Sequence, residues 1–280
     1  MQDFIAVLDF GSQYAHLIAK RIRHLGAYTK IFSPSAKENL LQDAKGIVLS
    51  GGPASVYSTD IPKFNSNILN LDLPILGLCY GHQLIAKEFG GAITNTGKGE
   101  FGKAILQQTS DFPLWQNVSF PNKVWMSHQD SVTKCPPDFK VTGVTESGNV
   151  AAMRHRKRRI YTLQFHPEVN DTEQGQKMLD NFINTCEICS KWSMETFIKE
   201  TTERLQQEVG ERKVLMFISG GVDSSVAFAL LNKALGKEKI LGLYINNGFM
   251  RKDESTEIIE RYRQLGYTNI QPRDYSTFFL

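Results

Sequence analysis

The chain has 280 residues, with 32 Lys and Arg against 29 Asp and Glu, a formal net charge of +3, and 41% hydrophobic residues. That balance suffices for a buried core and excludes a largely disordered chain, and at about 150 residues per domain the length suggests two domains. No apolar run reaches the roughly 18 residues of a membrane-spanning helix, so no membrane partner is expected. Four cysteines are too few for a disulfide scaffold, so a reduced, cytoplasmic setting is expected.

In chain order, the first apolar segment, Phe4 to Phe10, lacks the basic lead of a signal peptide, and Ile5 to Asp9 within it predicts a buried parallel strand. Leu17, Ile18, Ile22 and Leu25 follow at helical spacing and stop at Gly26. Further strands are predicted at 28–32, 46–50 and 74–78, with helices at 63–71 and 81–89. Strands alternating with helices at this rhythm predict a parallel α/β sheet. From 104 to 165 the texture changes to short β-like runs, expected to add antiparallel strands at the sheet edge. An amphipathic helix at 174–186 closes this region, and 187–193 is a candidate boundary. A helix at 194–209, a buried strand at 214–218, a helix to residue 235, a strand at 240–245 and a charged helix at 253–265 then form a second α/β unit. The expected fold class is α/β, with two doubly wound domains over 1–190 and 196–280. The first has a mixed sheet; the second has a parallel sheet that is incomplete.

The strongest local signal is Gly77-Leu78-Cys79-Tyr80-Gly81, which joins a strand to a helix. It follows the nucleophile-elbow pattern, with cysteine in the place of serine. The glycines allow the sharp turn, and the helix aims the positive end of its dipole at the sulfur, which favours the thiolate. A buried structural cysteine is the alternative. A cysteine nucleophile needs a base and the base needs an orienting group. His166-Pro167-Glu168 follows a strand, so imidazole and carboxylate emerge together at a strand end. Ser50-Gly51-Gly52-Pro53 also follows a strand, and its backbone N–H groups, with that of Tyr80, are candidate donors to an oxyanion.

These three strings resemble those of the class I, triad-type glutamine amidotransferases. The resemblance implies that Cys79 attacks the glutamine carboxamide to form a thioester and release ammonia. His166 would shuttle the proton and Glu168 would orient His166. It implies a glutamine pocket at Gly51, Gly52, Tyr80, Gln83, Ser127 and His128, with Gln129 standing where the family carries glycine. Asp9-Phe10-Gly11-Ser12-Gln13-Tyr14 and Trp125-Met126-Ser127-His128 are similar to the branch of the family that aminates XMP.

Ser219-Gly220-Gly221-Val222-Asp223-Ser224-Ser225 lies between a strand and a helix, where small residues and free N–H groups cradle anions. It lacks the lysine of a Walker A loop. A glycine turn with a serine cap is the plain alternative. The string is similar to the pyrophosphate loop of ATP pyrophosphatases, which implies ATP as substrate, Mg²⁺ assisting, and Asp223 near the metal and phosphates. Asn246 stands where that family's next motif has aspartate. The resemblance implies glutamine, ATP and XMP as substrates and a homodimer in the full-length protein. The resemblance implies that the XMP and dimer regions of that branch lie beyond Leu280, so a fragment without the acceptor region is expected; an amidotransferase for another acceptor, or a truncated regulatory or nucleotide-binding fragment, is the alternative.

Two signals are set aside. The basic run Arg154-His155-Arg156-Lys157-Arg158-Arg159 sits between predicted strands and reads as a solvated hairpin tip; with a net charge of +3 no nucleic-acid partner is expected. Cys186-x-x-Cys189 lacks the second pair that a closed zinc site needs, and no resident metal site is assigned.

Overall fold

A computed structural model of the chain describes residues 3–53, 55–58, 62–189 and 192–279. It separates into two compact units, Met1–Trp192 and Ser193–Leu280. The boundary segment expected at 187–193 includes residues 190 and 191, which lie outside the described residues, as does Leu280.

The first unit is built on β1 (Phe4–Leu8), α1 (Tyr14–His24), β2 (Thr29–Phe32), β3 (Ala44–Leu49), β4 (Ile75–Leu78) and α2 (Tyr80–Glu88). It continues through β5 (Ala92–Gln108), β6 (Asn122–Lys134), β7 (Phe139–Thr145), β8 (Val150–His155), β9 (Ile160–Leu163) and α3 (Gly175–Thr185). One nine-stranded sheet runs β2-β1-β3-β4-β9-β8-β7-β5-β6. The strands from β2 to β9 pair in parallel, and those beyond β9 are antiparallel.

Alternation along the parallel strands explains the two layers, because successive side chains leave opposite faces of a sheet. Ile5, Val7, Val48, Leu76 and Leu78 pack with Ile18 and Ile22 of α1 and Leu179 and Phe182 of α3. Phe4, Ala6, Leu8, Ile47, Leu49 and Ile75 pack with Leu84 and Ile85 of α2. Both faces are therefore covered, and the strands read as continuous apolar runs for that reason.

Two expectations change in detail. The helix expected at 63–71 is a short 3-10 turn, Ser66–Asn70. The Asn65 side chain accepts from the Asn67 N–H there, a local bond that competes with regular helix. The antiparallel region holds longer strands than its runs suggested: β5 has 17 residues and β6 has 13, with register shifts that divide their pairing.

The second unit contains α4 (Met194–Val209), β10 (Val214–Ile218), α5 (Val222–Leu235), β11 (Ile240–Asn246), α6 (Glu254–Gln264), β12 (Ile270–Asp274) and α7 (Ser276–Phe279). Its three strands are parallel in the order β10-β11-β12. Ile218, Phe228, Ile240, Tyr244, Ile259 and Tyr262 form its small core. Leu215 and Phe217 of β10 remain exposed.

Candidate active site

The turn from β4 to α2 carries Cys79 at φ +51° and ψ −101°, a region that side chains other than glycine rarely enter. Its neighbours make the turn possible. A Cβ on Gly81 would lie 2.5 Å from the Leu49 carbonyl oxygen, and one on Gly77 would meet the Gly81 carbonyl. Only glycine at both positions lets α2 begin directly against β3 and β4. The strain is thus held by close backbone packing, and it presents the thiol at the carboxyl end of the sheet.

His166 and Glu168 follow β9, the strand beside β4. The imidazole Nδ1 lies 2.7 Å from Glu168 Oε1, and both side chains are almost fully buried. The Cys79 thiol lies on the other side of the ring, near enough to favour its charged form. Burial opposes a charged imidazole here. The Glu168 carboxylate and then the neighbouring Cys79 outweigh it and hold His166 well above its ordinary value. The three residues form one line, Cys79 to His166 to Glu168, within a single unit.

Gly51 closes one side of this line. A Cβ there would sit 3.3 Å from His166 Cε1 and 3.7 Å from Cys79 Cβ. Ser50 fixes the loop, its hydroxyl accepting from the Phe10 N–H and donating to the Gly51 carbonyl. Gly52 lies between Phe10 and the Tyr80 ring. On the other side, the thiol is 3.6 Å from the Ser127 carbonyl oxygen on β6. The loop after β3, the start of α2 and β6 therefore all converge on Cys79.

The remaining pocket residues are arranged less directly. The Gln83 amide donates to the Asp130 carbonyl at 2.7 Å and to Gln164 Oε1 at 3.1 Å. The His128 ring nitrogens lie 2.9 Å from the Asp130 carbonyl and 3.2 Å from Glu100. Glu100 also accepts from the Thr145 hydroxyl. Burial pushes Glu100 up, but hydrogen bonds from His128, Thr145 and Asn149 outweigh it and hold the carboxyl low. The His128 side chain thus braces the strand that carries Ser127. Gln129, next along that strand, is exposed.

Four residues at this site had no role in the sequence reading. The Tyr14 ring packs on the His166 ring, with centroids 4.4 Å apart. Arg21 Nε donates to the Glu168 carbonyl at 2.8 Å. The Thr172 hydroxyl donates to the His166 carbonyl and accepts from the Trp125 N–H. Glu100 holds His128 as above. Tyr14 and Arg21 lie two turns apart on α1, a spacing that places them on one face. That periodicity was the available signal, but nothing near Arg21 in the sequence marks the distant carbonyl that it holds.

In the second unit, 219–221 forms the loop from β10 into α5. Gly220 has φ +80°, and a Cβ there would run into Ile258. The Ser219 and Ser224 hydroxyls lie 3.1 Å apart, and Ser225 bonds the Gly221 carbonyl and the Tyr262 hydroxyl. Val222 and Asp223 open α5, whose first amides have no acceptor within the helix. A cavity of about 250 Å³ lies beside the loop, lined by Ser219, Tyr244, Asn247 and Met250 among others. Asn246 Oδ1 accepts from the Gly248 N–H and shapes the next turn. Among the described residues, no group of three or more His, Cys, Asp or Glu side chains is placed to hold a metal ion.

The two signals set aside have structural explanations. Arg158 donates to the Leu69 and Leu71 carbonyls, and Arg159 to those of Asp72 and Thr185. The basic run therefore clamps loops as well as turning a hairpin; Arg156 and Lys157 alone are fully exposed. Cys186 is buried and its thiol is pushed up to about 12, chiefly by that burial, whereas Cys189 is exposed.

The family model for class I glutamine amidotransferases matches residues 6–186. The chain belongs to the class I glutamine amidotransferases. This amidotransferase carries a second match, to NAD synthase, over residues 193–273. A probable glutamine-hydrolysing GMP synthase of Leptospira interrogans is 44% identical over 280 residues, covering 98% of this chain and 46% of the relative. A GMP synthase of Campylobacter hominis is 44% identical over 279 residues, covering 99% of this chain and 54% of the relative. The chain spans about half the length of these curated relatives. Among solved structures, a putative GMP synthase component from Thermoplasma acidophilum aligns with a TM-score of 0.59 and 30% identity. That alignment covers 66% of this chain and 94% of that one. A Thermotoga maritima glutamine amidotransferase aligns at 0.50 and 19% identity over 85% of this chain and 92% of that one, a likeness of fold.

Proposed function

We propose that the first unit hydrolyses glutamine and that the protein uses the ammonia to aminate ATP-adenylated XMP, giving GMP. The observation that carries this reading is the line from the Cys79 thiol through His166 to the buried Glu168 carboxylate. The Cys79 thiolate attacks the glutamine side-chain carbonyl carbon, and the carbonyl oxygen takes the negative charge. The N–H groups of Gly52 and Tyr80 receive that oxyanion. His166 gives its proton to the departing nitrogen, ammonia leaves, and a thioester to Cys79 remains. His166 then takes a proton from water, which attacks the thioester, releasing glutamate and restoring the thiol. Glu168 keeps the imidazole oriented and stabilises its positive charge. Gly51, Gln83, Ser127 and His128 complete the glutamine pocket, His128 through the strand that its ring braces.

The loop 219–225 at the N-terminus of α5 is read as the cradle for the ATP pyrophosphate. A single exposed carboxylate, Asp223, fits a Mg²⁺ held mainly by phosphate oxygens rather than a caged metal. When bound, the metal would neutralise charge on the leaving pyrophosphate. Amidotransfer to a different acceptor is the second reading, supported by the NAD synthase match over the second unit. The names and identities of the curated relatives favour XMP.

The test uses the whole product of the gene with Cys79→Ala. GMP formation from XMP and ATP is expected to be lost with glutamine as donor and kept with free ammonia. Glutamine-dependent GMP formation by that variant would overturn the role of Cys79. Failure of the unaltered protein to make GMP with either donor would overturn XMP as acceptor.

A further inference from the structure

We propose that Arg21 is a positioning residue that sets the aim of the Glu168 carboxylate at His166; this rests on the triad reading above. Glu168 Oε1 meets His166 Nδ1 at 2.7 Å, while Oε2 is buried with no hydrogen-bond partner among the described residues. A carboxylate held by a single side-chain bond takes its direction from its own main chain. Ordinarily a buried carboxylate is fixed through several donors, and here those donors act on the backbone instead.

Arg21 supplies that restraint. Its Nε donates to the Glu168 carbonyl at 2.8 Å, and a terminal guanidinium nitrogen donates to Asn170 Oδ1. The planar fork thus grips the segment at two points two residues apart, which an ammonium cannot do with the same geometry. On the same face of α1, the Tyr14 ring rests against the His166 imidazole. One helix therefore fixes both members of the base pair, the histidine by its ring and the glutamate by its main chain. Thr172 holds the His166 carbonyl at 2.6 Å, so the residue free to swing when Arg21 is lost is Glu168.

The experiment measures alkylation of Cys79 by a glutamine-mimicking electrophile in the 280-residue chain, from reagent concentration and pH. Arg21→Met is expected to lower the maximal alkylation rate by about tenfold, the scale of a small misplacement of a catalytic group, without changing half-saturation. The basic limb of the pH profile should move to lower pH as His166 loses the aligned carboxylate. Arg21→Lys should restore part of the rate, and Lys20→Met, which removes an exposed charge from the same helix, should match the unaltered chain. Should Arg21→Met fail to fold, Asn170→Ala, which removes one anchor, should show a smaller loss in the same direction. An unchanged maximal rate and basic limb in Arg21→Met, or in Asn170→Ala when that variant decides, would overturn the proposal. No alkylation of Cys79 in the unaltered chain would instead overturn the triad reading on which it rests.

Discussion

The two units present their candidate sites in opposite ways. In the first, Cys79, His166 and Glu168 are each no more than 6% exposed, and His166 and Glu168 are joined by a direct hydrogen bond. In the second, Ser219, Gly221, Val222 and Asp223 are exposed, and the loop's serines bond one another. Acyl chemistry on a thiol needs fixed proton donors and a dry environment, which demand burial and close backbone packing. A phosphate cradle needs free N–H groups that a large anion can reach, which demands the reverse. The two proposed chemistries thus require opposite degrees of exposure, and the two loops should respond differently to the same kind of change.

The largest contrast is expected from removing a member of the triad. His166→Ala should reduce glutamine hydrolysis by at least about a thousandfold, read as ammonia release. Ser224→Ala should leave that release by the first unit unchanged. Next comes packing. Gly81→Ala sets a methyl group against the Leu49 carbonyl and should destabilise the first unit by about 3 kcal/mol. All three tryptophans, Trp115, Trp125 and Trp192, lie in that unit, so the urea transition seen by fluorescence reports it. Gly221→Ala, whose methyl group would meet only the Ser219 hydroxyl at 3.3 Å, should leave the circular-dichroism transition within about 0.5 kcal/mol.

Smaller effects follow from the buried histidines. Because Glu168 holds His166 above its ordinary value, that pair stabilises the fold fully below about pH 6.5 and loses this contribution as pH rises through the raised value. The stability advantage of the unaltered chain over Glu168→Gln should therefore shrink upward from about pH 6.5. The basic limb of glutamine hydrolysis should also move to lower pH in the variant. His82 has the opposite sign. Burial, then repulsion from His128, push it down to about 3, and its Nδ1 lies 2.8 Å from the Thr162 hydroxyl. The unfolded chain takes up the proton first, so stability should fall as pH drops from about 6.5 toward 3. His82→Asn should flatten that slope, measured by thermal unfolding across the range.

Much of this contrast was legible in the sequence. The apolar runs of β1, β3 and β4 read as buried strands because both faces of the sheet are covered. The elbow was readable because Gly77 and Gly81 answer a local backbone requirement, and His166 and Glu168 because they sit two residues apart after a strand. What stayed hidden depends on pairing at a distance. Arg21 reaches Glu168 across 147 positions, and Glu100 reaches His128 only after β5 and β6 register. The long β5 was obscured by its polar and glycine-rich stretch, which shows no apolar alternation and where the register with β6 shifts between Asn95 and Glu100. Arg158 and Arg159 read as solvated charge because nothing local marks the distant carbonyls that they hold.

The central claim is that the chain itself assembles a glutamine-binding thiol site at Cys79. The most direct measurement is mass-spectrometric mapping after treatment with a glutamine-mimicking electrophile, with and without excess glutamine. A single adduct on Cys79, suppressed by glutamine, is the predicted result. Absence of an adduct on Cys79, or equal labelling of Cys79, Cys135, Cys186 and Cys189, would contradict it.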